Sequence, residues 1–229
     1  MTGPISKFTG HTRMGWIKSM ILGYEVTLGI SKDFQQFGTY VHEMLFLGRS
    51  KIKLSHEEHV RATKMLNVLR TNKTVQKMLK NTVCEVTVKT KLKGVNIQFT
   101  PDAVQDKKKG RDLKTTVCST LEDFIAKAFE YGYFRQGETY SQAAKLNEFV
   151  IIGIQKQKPF KVFIVLCSMH KEKMEYSKNE LEFLLYFYKN YGNFNKLVEK
   201  TNKGTSKRKT PKGKKAGKGK TKKRKAGRK

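Results

Sequence analysis

Asp102, Asp112 and Lys114 have the types and spacing that phosphodiester chemistry on a divalent cation requires. Two carboxylates can hold Mg2+ or Mn2+, which prefer oxygen ligands. A lysine beside them can orient an attacking water and offset charge developing on a phosphate. Asp112 and Lys114 stand two apart in the run Arg111-Asp112-Leu113-Lys114-Thr115-Thr116. On a strand, side chains two apart share a face. The pair therefore points one way while Leu113 turns into the core.

These residues need a hairpin to bring them together. An apolar, β-prone run over residues 95–105 contains Pro101 and Asp102 at the end of its apolar part. Residues 105–110 are polar, lysine-rich and end in glycine, which reads as a turn into a second strand over 111–117. If the two strands pair, Asp102 comes close to both Asp112 and Lys114. A strand over 84–91 is indicated by the alternation in Cys84-Glu85-Val86-Thr87-Val88-Lys89. Glu85 is the only acid between Glu58 and Asp102, and an acid on a strand ordinarily faces solvent.

Helices flank this region. Val41, Leu45 and Phe46 form an apolar stripe around His42, which follows Gly38 by four. Ser55 with Glu58 three positions on is a capping-box signal for a helix through Val60, Met65, Leu66 and Leu69. His56 and His59 beside Glu57 and Glu58 read as a solvated helix start suited to the dipole. A further helical segment covers residues 75–79, after a break at Asn72. Residues 121–133 form an amphipathic helix with Leu121, Phe124, Ile125, Ala128 and Phe129 inward. Gln136 and Tyr140 are neighbours on one helix face, and Gly137 between them suggests a late helix start. Residues 149–154 and 162–166 are near-continuous apolar strands of a buried sheet. Residues 179–191 are helical and aromatic, with Phe183 and Phe187 assigned to the core. The stretch before Gly38 reads weakly, with a helix or packing arm expected between Trp16 and Leu28.

The order Pro101-Asp102, a short gap, then Asp112-Leu113-Lys114-Thr115-Thr116 resembles the PD-(D/E)XK nuclease signature, in the form used by the RecB-like and exonuclease VIII-like branch. Gly38-x-x-x-His42-Glu43 upstream is similar to that branch's early helix. Tyr133-x-x-Gln136-x-x-x-Tyr140 downstream is similar to its later motif. The resemblance covers roughly residues 38–166. It implies an α/β, restriction-endonuclease-like fold with a mixed central sheet flanked by helices. It also implies a site where strands 84–91, 95–105 and 111–117 meet a helix starting near Gln136. Asp102 and Asp112 would bind Mg2+ or Mn2+, with the main-chain carbonyl of Leu113, His42 and Glu85 completing the shell. Lys114 would serve the water, and Gln136, Tyr140 and Tyr133 would hold the substrate strand. The implied activity is metal-dependent DNA hydrolysis, of exonuclease type at duplex ends, in DNA processing or recombination and often in phage settings. A homo-oligomer and a recombination partner protein are compatible with this reading.

Composition agrees with a polyanionic partner. The formal net charge is +29 over 229 residues. Residues 201–229 hold 15 Lys/Arg, no acid and no apolar residue beyond two alanines, so they read as a disordered cationic tail. The remainder is still basic, with 33 Lys/Arg against 19 acids, so nucleic acid is indicated for the body as well as the tail. The expected organisation is one domain over 1–200, with its core in 38–191, and the tail as a salt-sensitive tether. A non-catalytic nucleic-acid-binding protein on the same fold, or a virion-associated DNA-binding protein, would use the same charge. Neither needs the intact Asp102, Asp112 and Lys114 set.

Cys84, Cys118 and Cys167 are far apart and lack a CxxC pair, which argues against structural zinc and an iron–sulfur cluster. No signal-peptide layout or spanning apolar run occurs, so an intracellular location, cytoplasmic or nucleoid-associated, is expected.

Overall fold

The structure is a computed structural model that describes residues 32–191. The expected arm between Trp16 and Leu28 and the cationic tail lie outside the described residues. Among the described residues three helices come first: α1 (Lys32–Phe46), α2 (His56–Thr71) and α3 (Lys73–Leu79). Five strands follow: β1 (Thr82–Cys84), β2 (Val88–Leu92), β3 (Val95–Phe99), β4 (Ala103–Gln105) and β5 (Lys109–Thr116). Then come α4 (Leu121–Glu130), α5 (Tyr133–Ala144), β6 (Glu148–Gln155), β7 (Val162–Leu166) and α6 (Lys171–Tyr191).

The central sheet has the order β1-β4-β5-β6-β7. Only β5 and β6 run parallel, with α4 and α5 as the crossover between them; the other neighbours are antiparallel. The expected mixed sheet flanked by helices is therefore present. Alternation along β6 builds both cores. Val150, Ile152 and Ile154 join Leu113 of β5 under α1 and α2, while Phe149 and Ile151 face the cluster that includes Phe124, Phe134 and Leu181. A sheet covered on both faces explains why residues 149–154 are apolar without interruption. No described helix is long and apolar enough to cross a membrane.

Strands 84–91 and 95–105 are each interrupted. Glu85 adopts φ 56°, a left-handed conformation, and the chain leaves the main sheet there to begin β2 three residues later. Pro101, which lacks an N–H, separates β3 from β4. The excursion between these breaks is a separate two-stranded hairpin, β2–β3. The turn into β5 is tighter than expected. Asp106 and Lys107 both have positive φ, Lys108 donates its N–H to Gln105, and Lys109 already pairs with Gln105.

The capping box at Ser55 and Glu58 forms in both directions. Helix α5 begins at Tyr133 rather than near Gln136, with Gly132 in the left-handed region before it. Gly137 sits inside that helix and marks no late start. A Cβ there would fall 2.7 Å from the Phe149 ring, so glycine lets the helix settle onto the sheet. Leu121 is 39% exposed and not inward; Phe124 and Ala128 carry the buried stripe of α4. Phe183 is 52% exposed rather than core. In α6 the buried face is set by Leu181, Leu184 and Leu185. At about 100° per residue Phe183 falls on the opposite side from Leu181, while Phe187 is only partly buried against the core.

The same close fit recurs at Gly153 of β6, where a Cβ would lie 2.6 Å from the Phe124 ring. Phe124 is 1% exposed and has nowhere to retreat. Gly153→Ala should cost about 1–3 kcal/mol by overpacking, read as a lower urea midpoint. Pairing it with Phe124→Leu should recover much of the loss. An unchanged midpoint in the single variant would show that this contact yields freely.

Candidate active site

The break at Glu85 and the break at Asp102 are one feature. Register pairs Cys84 with Ala103, and the next residues out are Glu85 and Asp102, whose main chains stay joined by Glu85 N–H to Asp102 O at 3.2 Å. Both acids thus stand where the β1–β4 ladder runs out. Asp102 Oδ2 accepts the N–H of Leu113 at 2.6 Å, taking over the edge of β5 where β4 has ended. N–H and C=O of one extended residue face the same strand edge. The Leu113 carbonyl is therefore aimed at that edge as well.

His42 arrives from α1. Its Nε2 lies 3.0 Å from Asp102 Oδ1 and 3.2 Å from Glu85 Oε1. Ligand atoms of His42, Glu85 and Asp102 all fall within 4.8 Å of one another, a set able to hold a cation. Gly38, one turn earlier, lets α1 press on β5: a Cβ there would lie 3.3 Å from Thr115 Oγ1. Phe46, one turn later, packs its ring 4.9 Å from the imidazole.

Asp112 stands beside this trio, on the sheet face covered by α5. Its Oδ2 is 2.6 Å from Lys114 Nζ, and its Oδ1 accepts Gln136 Nε2 at 2.8 Å. Gln136 Nε2 also donates to the Tyr140 hydroxyl at 3.0 Å. Phe99 stacks on Tyr140 at 4.3 Å, and Lys114 Nζ sits 4.7 Å from the Tyr133 ring centre. The structure therefore gathers Asp102, Asp112, Lys114, Leu113, His42, Glu85, Gln136, Tyr140 and Tyr133 into one neighbourhood. Asp112 is not within the compact His42–Glu85–Asp102 trio; its oxygens are directed to Lys114 and Gln136. Two positioning side chains were not anticipated from sequence. Phe46 was signalled by its four-residue spacing from His42. Phe99 had no such signal, since its stacking partner lies 41 residues on in the chain.

Burial and crowding of carboxylates shift the proton affinities. Asp112 is pushed up to about 6, first by burial and then by the charge of Asp102, against the opposing pull of Lys114. Burial also raises Glu85, with Asp102 adding to it and His42 opposing. Burial pulls His42 down, but the hydrogen bond and charge of Asp102, with Glu85 and Asp112, leave it above its ordinary value. Burial disfavours the Lys114 cation, yet the carboxylates of Asp112 and Asp102 outweigh it, so Lys114 stays charged. Burial and the Asp112 charge raise Tyr140, so its hydroxyl stays protonated.

Asp112, Glu85 and His42 all hold protons more tightly folded than unfolded. Their contribution to stability is complete below their ordinary values and is lost as pH rises, for Asp112 through about 6. In EDTA the melting temperature should therefore fall across a pH range centred on about 6. Mg2+ should raise it more at the upper end, because a cation replaces the lost positive charge. Thermal scans in the two buffers check this. A level profile in EDTA would contradict the electrostatics described.

The trio offers two carboxylates and one imidazole, and Asp112 and the Leu113 carbonyl add oxygens nearby. That donor set fits a hard divalent cation such as Mg2+ or Mn2+ and is wrong for a thiolate-bound metal.

Comparison with known proteins gives three findings. A family model described as a PDDEXK-like domain of unknown function (DUF3799) matches residues 27–200. No curated protein matches the sequence. Among solved structures, the chain is similar to a protein of Eubacterium rectale named as a candidate exonuclease, at 17% identity and TM-score 0.46, covering 81% of this chain and 68% of that one. It is also similar to a phage-related exonuclease of Haemophilus somnus, at 11% identity and TM-score 0.32, covering 65% and 80%. An alkaline exonuclease of Laribacter hongkongensis is similar at 11% identity and TM-score 0.30, covering 82% and 95%.

Proposed function

The chain belongs to the PDDEXK-like domain family (DUF3799), and from that premise we propose that it is a metal-dependent deoxyribonuclease. It hydrolyses DNA phosphodiester bonds, acting as an exonuclease on duplex ends in DNA processing or recombination. One observation carries the reading. A lysine, two carboxylates and an imidazole from three separate parts of the chain converge where the β1–β4 ladder ends beside β5, with Lys114 2.6 Å from Asp112 and His42 3.0 Å from Asp102. A module that only binds nucleic acid has no need of buried acids, which repel phosphate.

Asp102, Asp112, the Leu113 carbonyl, His42 and Glu85 would hold Mg2+ or Mn2+. When bound, such a cation polarises the scissile phosphate and acidifies water at neutral pH. Lys114 keeps its proton, so its part is to orient the nucleophilic water and to face the charge developing on the phosphate. Gln136 fixes the rotamer of Asp112 and shares its amide with Tyr140, so an error in that helix is felt at the carboxylate. Tyr133, only partly buried, supplies an aromatic and hydroxyl contact for the strand being cut, whereas Tyr140, expected to touch that strand, is buried under Phe99 with its hydroxyl on Gln136 and acts by positioning.

The direct test is digestion of linear and of covalently closed duplex DNA in Mg2+, each with an EDTA control. Linear DNA should be degraded from its ends and closed circles spared. Nicking or linearising of circles would make the enzyme an endonuclease. Binding with no turnover in Mg2+ or Mn2+ would leave only the binding protein.

A further inference from the structure

We propose that the β2–β3 hairpin is a phosphate-binding strip that holds the DNA backbone beside the acidic cluster; this rests on the deoxyribonuclease reading above. The hairpin rises directly from the candidate site. Its base pair, Val88 with Phe99, is three residues from Glu85 on one side and three from Asp102 on the other. Thr87 and Thr100 close the base with a hydroxyl contact of 3.0 Å. The inner face carries Val95, Ile97 and Phe99, all buried, and packs against α5 and α6. Phe99 lies flat on Tyr140, which shares Gln136 with Asp112. The hairpin is thus fixed in place by the same residues that orient the carboxylate.

The outer face has a different character. Lys89 and Lys91 are exposed and paired in register with Gln98 and Asn96. Here residues 86–101 contain three lysines and no acid. The cations stand opposite amides that can also donate to phosphate oxygens. Lys89 and Lys91 are two apart, so about 6.8 Å separates them along the strand. They lie four and six residues from Glu85, within at most about 20 Å of extended chain from the acids. The tip is pinned by Lys93 to Glu182 at 3.4 Å, and the side chain of Lys189 from α6 lies against Gly94. Carboxylates at the reaction centre repel the backbone they must cut, and a fixed cationic face on the adjoining hairpin offsets that repulsion.

The test uses the full chain in EDTA, so that binding is read without turnover, with a fluorescent duplex oligonucleotide titrated over a range of salt. Lys89→Gln with Lys91→Gln should reduce the slope of log affinity against log salt by about 1.8, at about 0.9 per phosphate contact. A charge-matched control, Lys64→Gln with Lys178→Gln, should leave the slope at the parent value. The proposal is overturned if the hairpin variant keeps the parent slope, or if the control loses as much. Either result in a parent that still hydrolyses DNA sinks the hairpin role alone. A parent that neither binds nor hydrolyses DNA sinks the underlying reading as well. Tighter binding of RNA of the same sequence, through the same lysines, replaces DNA as the occupant and overturns the proposal in its present form.

Discussion

Replacing Asp112 with alanine should take Mg2+-dependent DNA hydrolysis down by more than about 10³-fold, beyond the loss of a single oxyanion donor. Asp112 is 1% exposed, and its two oxygens serve two partners at once. Removing them leaves Lys114 without its nearest anion and frees the Gln136 amide. It also takes away a carboxylate that the cation would need. The same truncation breaks a largely buried ion pair, which can by itself cost about 3–5 kcal/mol. Asp112→Asn separates the two effects. An amide keeps the shape and an acceptor for Gln136, yet cannot supply the negative charge. Asp112→Asn should therefore fold and remain inactive. Turnover by either variant at the parent rate, measured as release of acid-soluble nucleotide from linear duplex, would sink the metal assignment.

Lys114→Ala should lower kcat by about 10²–10³, the loss seen when one preorganised donor is removed from a developing anion. A second consequence follows from the proton affinities. Lys114 is the main group that opposes the upward push on Asp112. Without it the carboxylate holds its proton more tightly, the proton competes better with the cation for Asp112, and the acidic limb of the rate profile should move toward higher pH. A merely structural lysine would change the amplitude and leave the limb in place. The paired readout, kcat and the midpoint of the limb, distinguishes the two. Loss of rate with an unmoved limb would mean that Lys114 acts on substrate without tuning Asp112.

The spacing of Asp112, Leu113 and Lys114 was sufficient to place two polar side chains on one face and Leu113 on the other, because strand alternation is a local rule. The capping box at Ser55 and the buried strands around Ile151 and Val165 were legible for the same reason. Phe183 was misplaced because an aromatic side chain carries no label for its side of a helix; the leucines at 181, 184 and 185 decide it. Gly137 looked like a helix boundary because its neighbour, the Phe149 ring, is remote in sequence.

Residue types and strand alternation supply the chemical inventory: which acids, which lysine, a basic chain and the alternation that aims Asp112 and Lys114 together. Tertiary structure decided how the inventory meets. The left-handed kink at Glu85 and the break at Pro101 stop two strands at the same rung, so that Glu85 and Asp102 emerge side by side. His42 reaches them from α1, and Gln136 reaches Asp112 from α5. No local propensity encodes that meeting, because it depends on two helices packing on opposite faces of one sheet, close enough for His42 to reach Asp102, about 60 residues away in the chain, and for Gln136 to reach Asp112, about 24 away.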